Sequence, residues 1–71
     1  MKEELTAEEI GEFLTYMRLS INMKQGSFAD ELGIRRSDYN VWENGKFRPR
    51  HYERVIHSVR VLVKQKIREG A

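Results

Sequence analysis

The segment Gln25–Pro49, QGSFADELGIRRSDYNVWENGKFRP, decides the fold of this chain. Its apolar residues have the spacing of two short helices, predicted over 25–32 and 35–43. Gly33 stands between them, where a left-handed residue ends a helix at no steric cost. The pair Asn44-Gly45 is a strong stop signal for the second helix. The segment therefore has the layout of a helix-turn-helix at about 25–43.

One helix is predicted on each side of this segment. The first is expected over 7–21, with Thr6 as N-cap and Glu9 completing a capping box. Residues 46–50, KFRPR, are expected to form an extended basic connection. The last helix is expected over 51–68. The sequence thus predicts an all-α fold, a compact four-helix domain over 1–71 with a long C-terminal helix.

Composition excludes several classes of protein. The chain has 71 residues and no cysteine, so disulfides and cysteine-based zinc sites are excluded and a reducing compartment is favoured. No apolar run approaches the length of a membrane span, and the N-terminus is acidic, unlike a signal peptide. We therefore expect a cytoplasmic protein.

No pattern of catalytic or cofactor-binding residues stands out. His51 and His57 are six residues apart, so they do not share a helical face as two metal ligands would. The sequence contains no glycine-rich phosphate loop and no nucleophile–base constellation. It predicts no enzyme activity, no cofactor and no metal.

Charge is segregated along the chain. Lys2 against five glutamates gives residues 1–17 a net charge of −4, whereas twelve basic against six acidic residues give residues 18–71 a net charge of +6. A basic face opposite an acidic one suits a domain that binds nucleic acid.

The central segment resembles the phage repressor and Cro-like, or XRE-type, family of helix-turn-helix regulators. The resemblance covers about residues 10–56. The residues that carry it are Gln25, Phe28-Ala29, Leu32-Gly33-Ile34, Val41-Trp42-Glu43-Asn44-Gly45 and Pro49. It implies a DNA-binding transcriptional regulator, and most simply a repressor, that reads the major groove with its third helix. Such a protein would associate with the nucleoid when bound to DNA.

The resemblance also implies which residues meet duplex DNA. Gln25 would meet a phosphate, Arg36 would read guanine, Asn40 would read adenine, and Val41 would face a thymine methyl group. The full set of expected DNA-binding residues is Gln25, Arg35, Arg36, Ser37, Asn40, Val41, Asn44, Lys46 and Arg48.

Two departures from the family are visible. Lys24 and Arg35 stand where the family has a Ser or Thr cap, and each missing cap costs about 1 kcal/mol. A cation there opposes the helix dipole but is favourable beside a phosphate, so we interpret both as stability exchanged for DNA affinity. The long fourth helix is the second departure.

Several side chains have a structural and a functional interpretation. Trp42 is expected in the core, and the resemblance implies an ion pair between Arg18 and Glu43. Tyr39 is expected either to touch the DNA backbone or to cover the turn. Phe47 is expected to pack on the last helix, in preference to wedging into a minor groove.

The last helix raises the question of partners. Its predicted apolar stripe exceeds what three short helices can cover, which predicts a homodimer with Val59, Leu62 and Val63 near the contact. The residues predicted to form the stripe are Tyr52, Val55, Ile56, Val59, Val63 and Ile67. Val61 and Leu62 are predicted to lie outside the stripe. The alternative is an antitoxin-like or adapter module that binds a protein, such as a toxin, through this helix.

Overall fold

The computed structural model describes residues 4–70. This part of the chain forms four helices and contains no strand: α1 (Ala7–Ser20), α2 (Gln25–Leu32), α3 (Arg36–Glu43) and α4 (Tyr52–Gly70). The all-α prediction is confirmed, and the predicted helix ends differ from these by two residues at most. Helices α2 and α3 occupy the residues predicted for the helix-turn-helix. None of the helices within 4–70 has both the length and the hydropathy to cross a membrane.

Local signals in the sequence explain where the helices begin and end. Thr6 Oγ1 accepts from the Glu9 amide at 3.1 Å, and the Glu9 carboxylate accepts from the Thr6 amide at 2.9 Å, which is the predicted capping box. Gly33 ends α2 with φ +71°, as predicted. Lys24 and Arg35 are the N-caps of α2 and α3, and neither makes a side-chain cap hydrogen bond. The two missing caps are therefore confirmed.

The core lies where α1 and α2 each pack against α3 and α4. Phe28 and Tyr39 meet edge to face at its centre, with their rings 5.7 Å apart. Trp42 is half-buried against this core, in line with its predicted place. The buried apolar residues are Ile10, Leu14, Phe28, Ala29, Tyr39, Val59, Leu62 and Val63.

Helix α4 differs from its predicted role. Val59, Leu62 and Val63 are 0%, 8% and 4% exposed, because α4 lies across α1 and α2 of its own chain. Their burial within one chain argues against the prediction that these three residues lie near a dimer contact, and the homodimer itself stays a prediction. The predicted stripe was also rotated, since Leu62 is buried whereas Ile67 is 57% exposed. Helices α1 and α2 cover more of α4 than the sequence indicated.

Helix α1 approaches the end of α3 very closely at Gly11. A Cβ built at residue 11 would lie 2.7 Å from the carbonyl oxygen of Glu43 and 2.9 Å from that of Trp42. Real Cβ atoms do not come so near to backbone oxygens, so only glycine permits this approach. The contact fixes the C-terminal end of α3 against α1.

Candidate nucleic-acid interface

One side of α3 is exposed and polar, because the opposite side of the helix is buried in the core. Tyr39 is fully buried, so residues about half a turn away around the helix face solvent. Ser37, Asn40 and Asn44 are exposed and Val41 is half-buried on that side. The structure thus brings together four of the predicted contact residues on one face, which we call the α3 face.

Tyr39 itself has no access to a ligand. Its ring is 0% exposed, and its hydroxyl donates to the Leu14 carbonyl at 3.4 Å. Burial raises the pKa of this phenol far above its ordinary value. The idea that Tyr39 touches the DNA backbone was therefore wrong.

A partly buried ion pair supports the α3 face from behind. Arg18 Nε lies 2.7 Å from Glu43 Oε2, and the two side chains are 14% and 4% exposed. Arg18 Nη2 donates to the other carboxylate oxygen at 3.1 Å, and its Nη1 donates to the Met23 carbonyl at 2.8 Å. The predicted pairing of Arg18 with Glu43 is confirmed. It ties α1 to α3 and to the segment before α2.

The carboxylate of Glu43 also begins a chain of side-chain amides. Gln25 Nε2 donates to Glu43 Oε1 at 3.0 Å, and Asn40 Nδ2 donates to Gln25 Oε1 at 3.0 Å. Asn44 Nδ2 then donates to Asn40 Oδ1 at 3.2 Å. Each amide is oriented by the one before it. Asn40 keeps one amide hydrogen and one carbonyl lone pair for a ligand, which are the groups that adenine recognition needs.

Hydrogen bonding shifts the pKa of Glu43. Burial alone raises it, but the hydrogen bonds, above all from Arg18, outweigh burial and hold the pKa below its usual range. The Arg18 guanidinium has its pKa raised by the same hydrogen bond. Glu43 is therefore an anion at neutral pH and a fixed acceptor for Gln25.

The start of α2 presents backbone donors to solvent. The Phe28 amide donates to the Lys24 carbonyl at 2.9 Å, which is the first hydrogen bond of the helix. The amides of residues 25–27 therefore have no acceptor within α2. Lys24 is exposed beside them, and Arg35 is exposed at the matching point of α3. Lys46 is exposed just past the end of α3. Within residues 4–70, none of these three cations forms an ion pair of 4 Å or less. The free amides and the adjacent Lys24 make the start of α2 suitable for an anion.

Arg36 lies beside the α3 face and not on it. Its guanidinium turns towards α2, where it pairs with Asp30 at 2.6 Å. Both side chains are well exposed, at 68% and 57%. The hydrogen bond from Arg36 lowers the pKa of the Asp30 carboxyl. Sequence reasoning overlooked Asp30, although a carboxylate six residues before an arginine across a tight turn was a usable signal.

Arg48 and Phe47 do not have their predicted surroundings. Arg48 donates to the Leu5 carbonyl at 2.7 Å and to Glu4 at 3.0 Å, and its Cζ lies 5.1 Å from the centre of the Tyr52 ring. Its cation therefore ties the N-terminal segment to α4, which argues against a phosphate contact. Phe47 is 68% exposed, so the prediction that it packs on α4 was wrong.

Residues 4–70 contain no cluster of three or more His, Cys, Asp or Glu that could hold a metal ion. Comparisons with protein-family models, with curated proteins and with solved structures found no match to this chain. The resemblance stated above therefore stands on the motif residues alone.

Proposed function

We propose that this protein is a sequence-specific, duplex-DNA-binding transcriptional regulator that reads the major groove with α3. The observation that carries the proposal is the α3 face: an exposed polar surface with its amides pre-oriented from the Arg18–Glu43 pair. Direct readout of adenine uses Asn side chains held in this way. On this proposal the protein works in the cytoplasm on the nucleoid, as a binding protein without a catalytic step.

The two uncapped helix starts support the same conclusion. Ser or Thr at the positions of Lys24 and Arg35 would stabilise the helices, whereas a cation there opposes the helix dipole. A cation is favourable at these positions when a phosphate neutralises it and accepts from the adjacent amides. Lys24 and Arg35 thus lower the stability of the free protein, and bound DNA phosphates would compensate for this loss.

Repression follows most simply from occupancy of a promoter. We propose a homodimer on the operator, because one small module reads too few base pairs to find a single site in a genome. Val59, Leu62 and Val63 already lie in the core of one chain, so we propose that the contact uses other residues. The antitoxin-like alternative was based on an uncovered apolar side of α4. That side is largely covered by α1 and α2, so the alternative loses its support.

Replacing both cations with caps tests the proposal. In Lys24→Ser/Arg35→Ser we expect a gain of about 2 kcal/mol in the free energy of unfolding, about 1 kcal/mol for each restored cap, measured by thermal denaturation. We also expect weaker binding to a duplex selected from a random library. The slope of log K against log salt should become shallower by about 2, because two phosphate contacts are lost.

Lys64→Ser is the matched control, since it removes an exposed cation from α4, away from the motif. It should leave the salt slope nearly unchanged. Failure to enrich any sequence, or equal effects of the double variant and the control, would contradict the proposal.

A further inference from the structure

The guanidinium of Arg36 is held in a defined plane. Arg36 Nε donates to Asp30 Oδ1 at 3.3 Å, and Nη2 donates to Oδ2 at 2.6 Å. Two parallel hydrogen bonds to one carboxylate fix the orientation of an arginine as a single bond does not. They use two of its five hydrogens, so both Nη1 hydrogens and the second Nη2 hydrogen remain for another acceptor.

The guanidinium of Arg36 packs directly against the backbone of Gly26. A Cβ at residue 26 would be 2.9 Å from Cζ, 2.9 Å from Nη1 and 3.0 Å from Nε of Arg36. Three nearly equal distances mean that the guanidinium lies flat over residue 26. Glycine is a poor helix residue, and its missing Cβ leaves the space that this guanidinium occupies beside the eight-residue α2. Asp30 follows one turn later on the same side of the helix.

We propose that Gly26 and Asp30 are positioning residues for Arg36, which they hold with its Nη1–Nη2 edge open to the O6 and N7 acceptors of a guanine. The inference rests on the proposed function, and it explains how the protein would come to prefer a guanine. A free arginine loses much side-chain freedom when it binds, and an arginine already held in place loses less. Asp30 is thereby a determinant of specificity without touching the base.

The exposure of the pair makes this inference testable. With both side chains more than half exposed, the ion pair contributes little to the stability of the fold. Variants at Asp30 should therefore fold normally. The same exposure leaves the outer edge of Arg36 accessible to a base.

The experiment uses the duplex selected from a random library. Each G·C pair is replaced in turn by A·T, and the position whose effect disappears in Arg36→Ala is the one that Arg36 reads. In the unmodified protein this replacement should weaken binding about 5- to 150-fold. That ratio, the guanine preference, is then measured in Asp30→Asn, Gly26→Ala and the control Glu31→Gln.

The control changes the charge as Asp30→Asn does, on the neighbouring residue, whose carboxylate pairs with Lys66 at 2.7 Å. We expect Asp30→Asn to lower the guanine preference about 2- to 10-fold, and Glu31→Gln to leave it unchanged. Gly26→Ala should lower the preference while raising Tm by about 4 °C, because alanine favours the helix and the flexible Arg36 side chain can move aside.

The opposite result has a clear meaning. If Asp30→Asn raises the guanine preference above that of Glu31→Gln, or if both test variants keep the original preference, Asp30 and Gly26 do not position Arg36 and the inference is overturned. The proposed function would stand in that case, because the unmodified protein would still prefer the selected duplex. If no base replacement affects the unmodified protein, the proposed function and this inference fail together.

Discussion

Gly11→Val is expected to lower the free energy of unfolding by about 3 kcal/mol, because overpacking against two backbone oxygens cannot be relieved by a side-chain rotation. The added Cβ would lie 2.7 Å and 2.9 Å from the carbonyl oxygens of Glu43 and Trp42. To make room, α1 must move away from the end of α3. A domain of this size has only about 4–10 kcal/mol of stability, so thermal denaturation should show a large fall in Tm.

Gly33→Ala is the matched control, because the two glycines are needed for different reasons. A Cβ at residue 33 meets no atom within 4 Å, but the residue has φ +71°. Its cost should come from backbone conformation alone, at about 1 kcal/mol. A Gly11→Val protein as stable as Gly33→Ala would show that α1 and α3 are not so closely packed.

Glu43→Ala is expected to lower the free energy of unfolding by about 3 kcal/mol, the lower end of the cost of removing one partner of a buried ion pair, because this pair is partly buried. Arg18 would remain 14% exposed without its carboxylate, and Gln25 would lose its acceptor. Urea denaturation measures the loss. Glu12→Ala, an exposed glutamate of α1, should change stability by less than about 0.5 kcal/mol.

The pH dependence provides a second check on Glu43. Because folding lowers its pKa, the stability that it contributes is present above its unfolded value of 4.5 and is lost as the pH falls through the lower folded value. Glu43→Ala should therefore lose less stability than the unmodified protein on acidification below pH 4.5. Parallel acid curves for the two proteins would contradict the assigned role of Glu43.

Local sequence signals predicted most of the fold. The capping box at Thr6 and the left-handed Gly33 are properties of a few neighbouring residues, so they could be placed without the rest of the structure. The α4 stripe could not, because the face that is buried depends on how α1 and α2 lie against it. The sequence therefore placed Leu62 outside the stripe and Ile67 inside it, whereas Leu62 is buried and Ile67 is exposed.

The candidate site was predicted by residue type but not by geometry. The α3 face has the expected residues, and their connection through Gln25 to Glu43 emerged only from the structure. Gly11 and Gly26 had a visible signal, since an isolated glycine in a helix often marks a close packing contact. The sequence did not reveal what each would approach: a backbone in one case, an arginine in the other.

Amide chemical-shift mapping by NMR, with the selected duplex added, tests the central claim most directly. DNA binding through α3 predicts that the largest changes fall at the start of α2 and on the α3 face, with the outer side of α4 little affected. The residues concerned are Gln25, Gly26, Ser27, Arg36, Ser37, Asn40, Val41 and Asn44. Changes concentrated on α4 around Val61 and Gln65, or no change at a saturating concentration of duplex, would contradict the account.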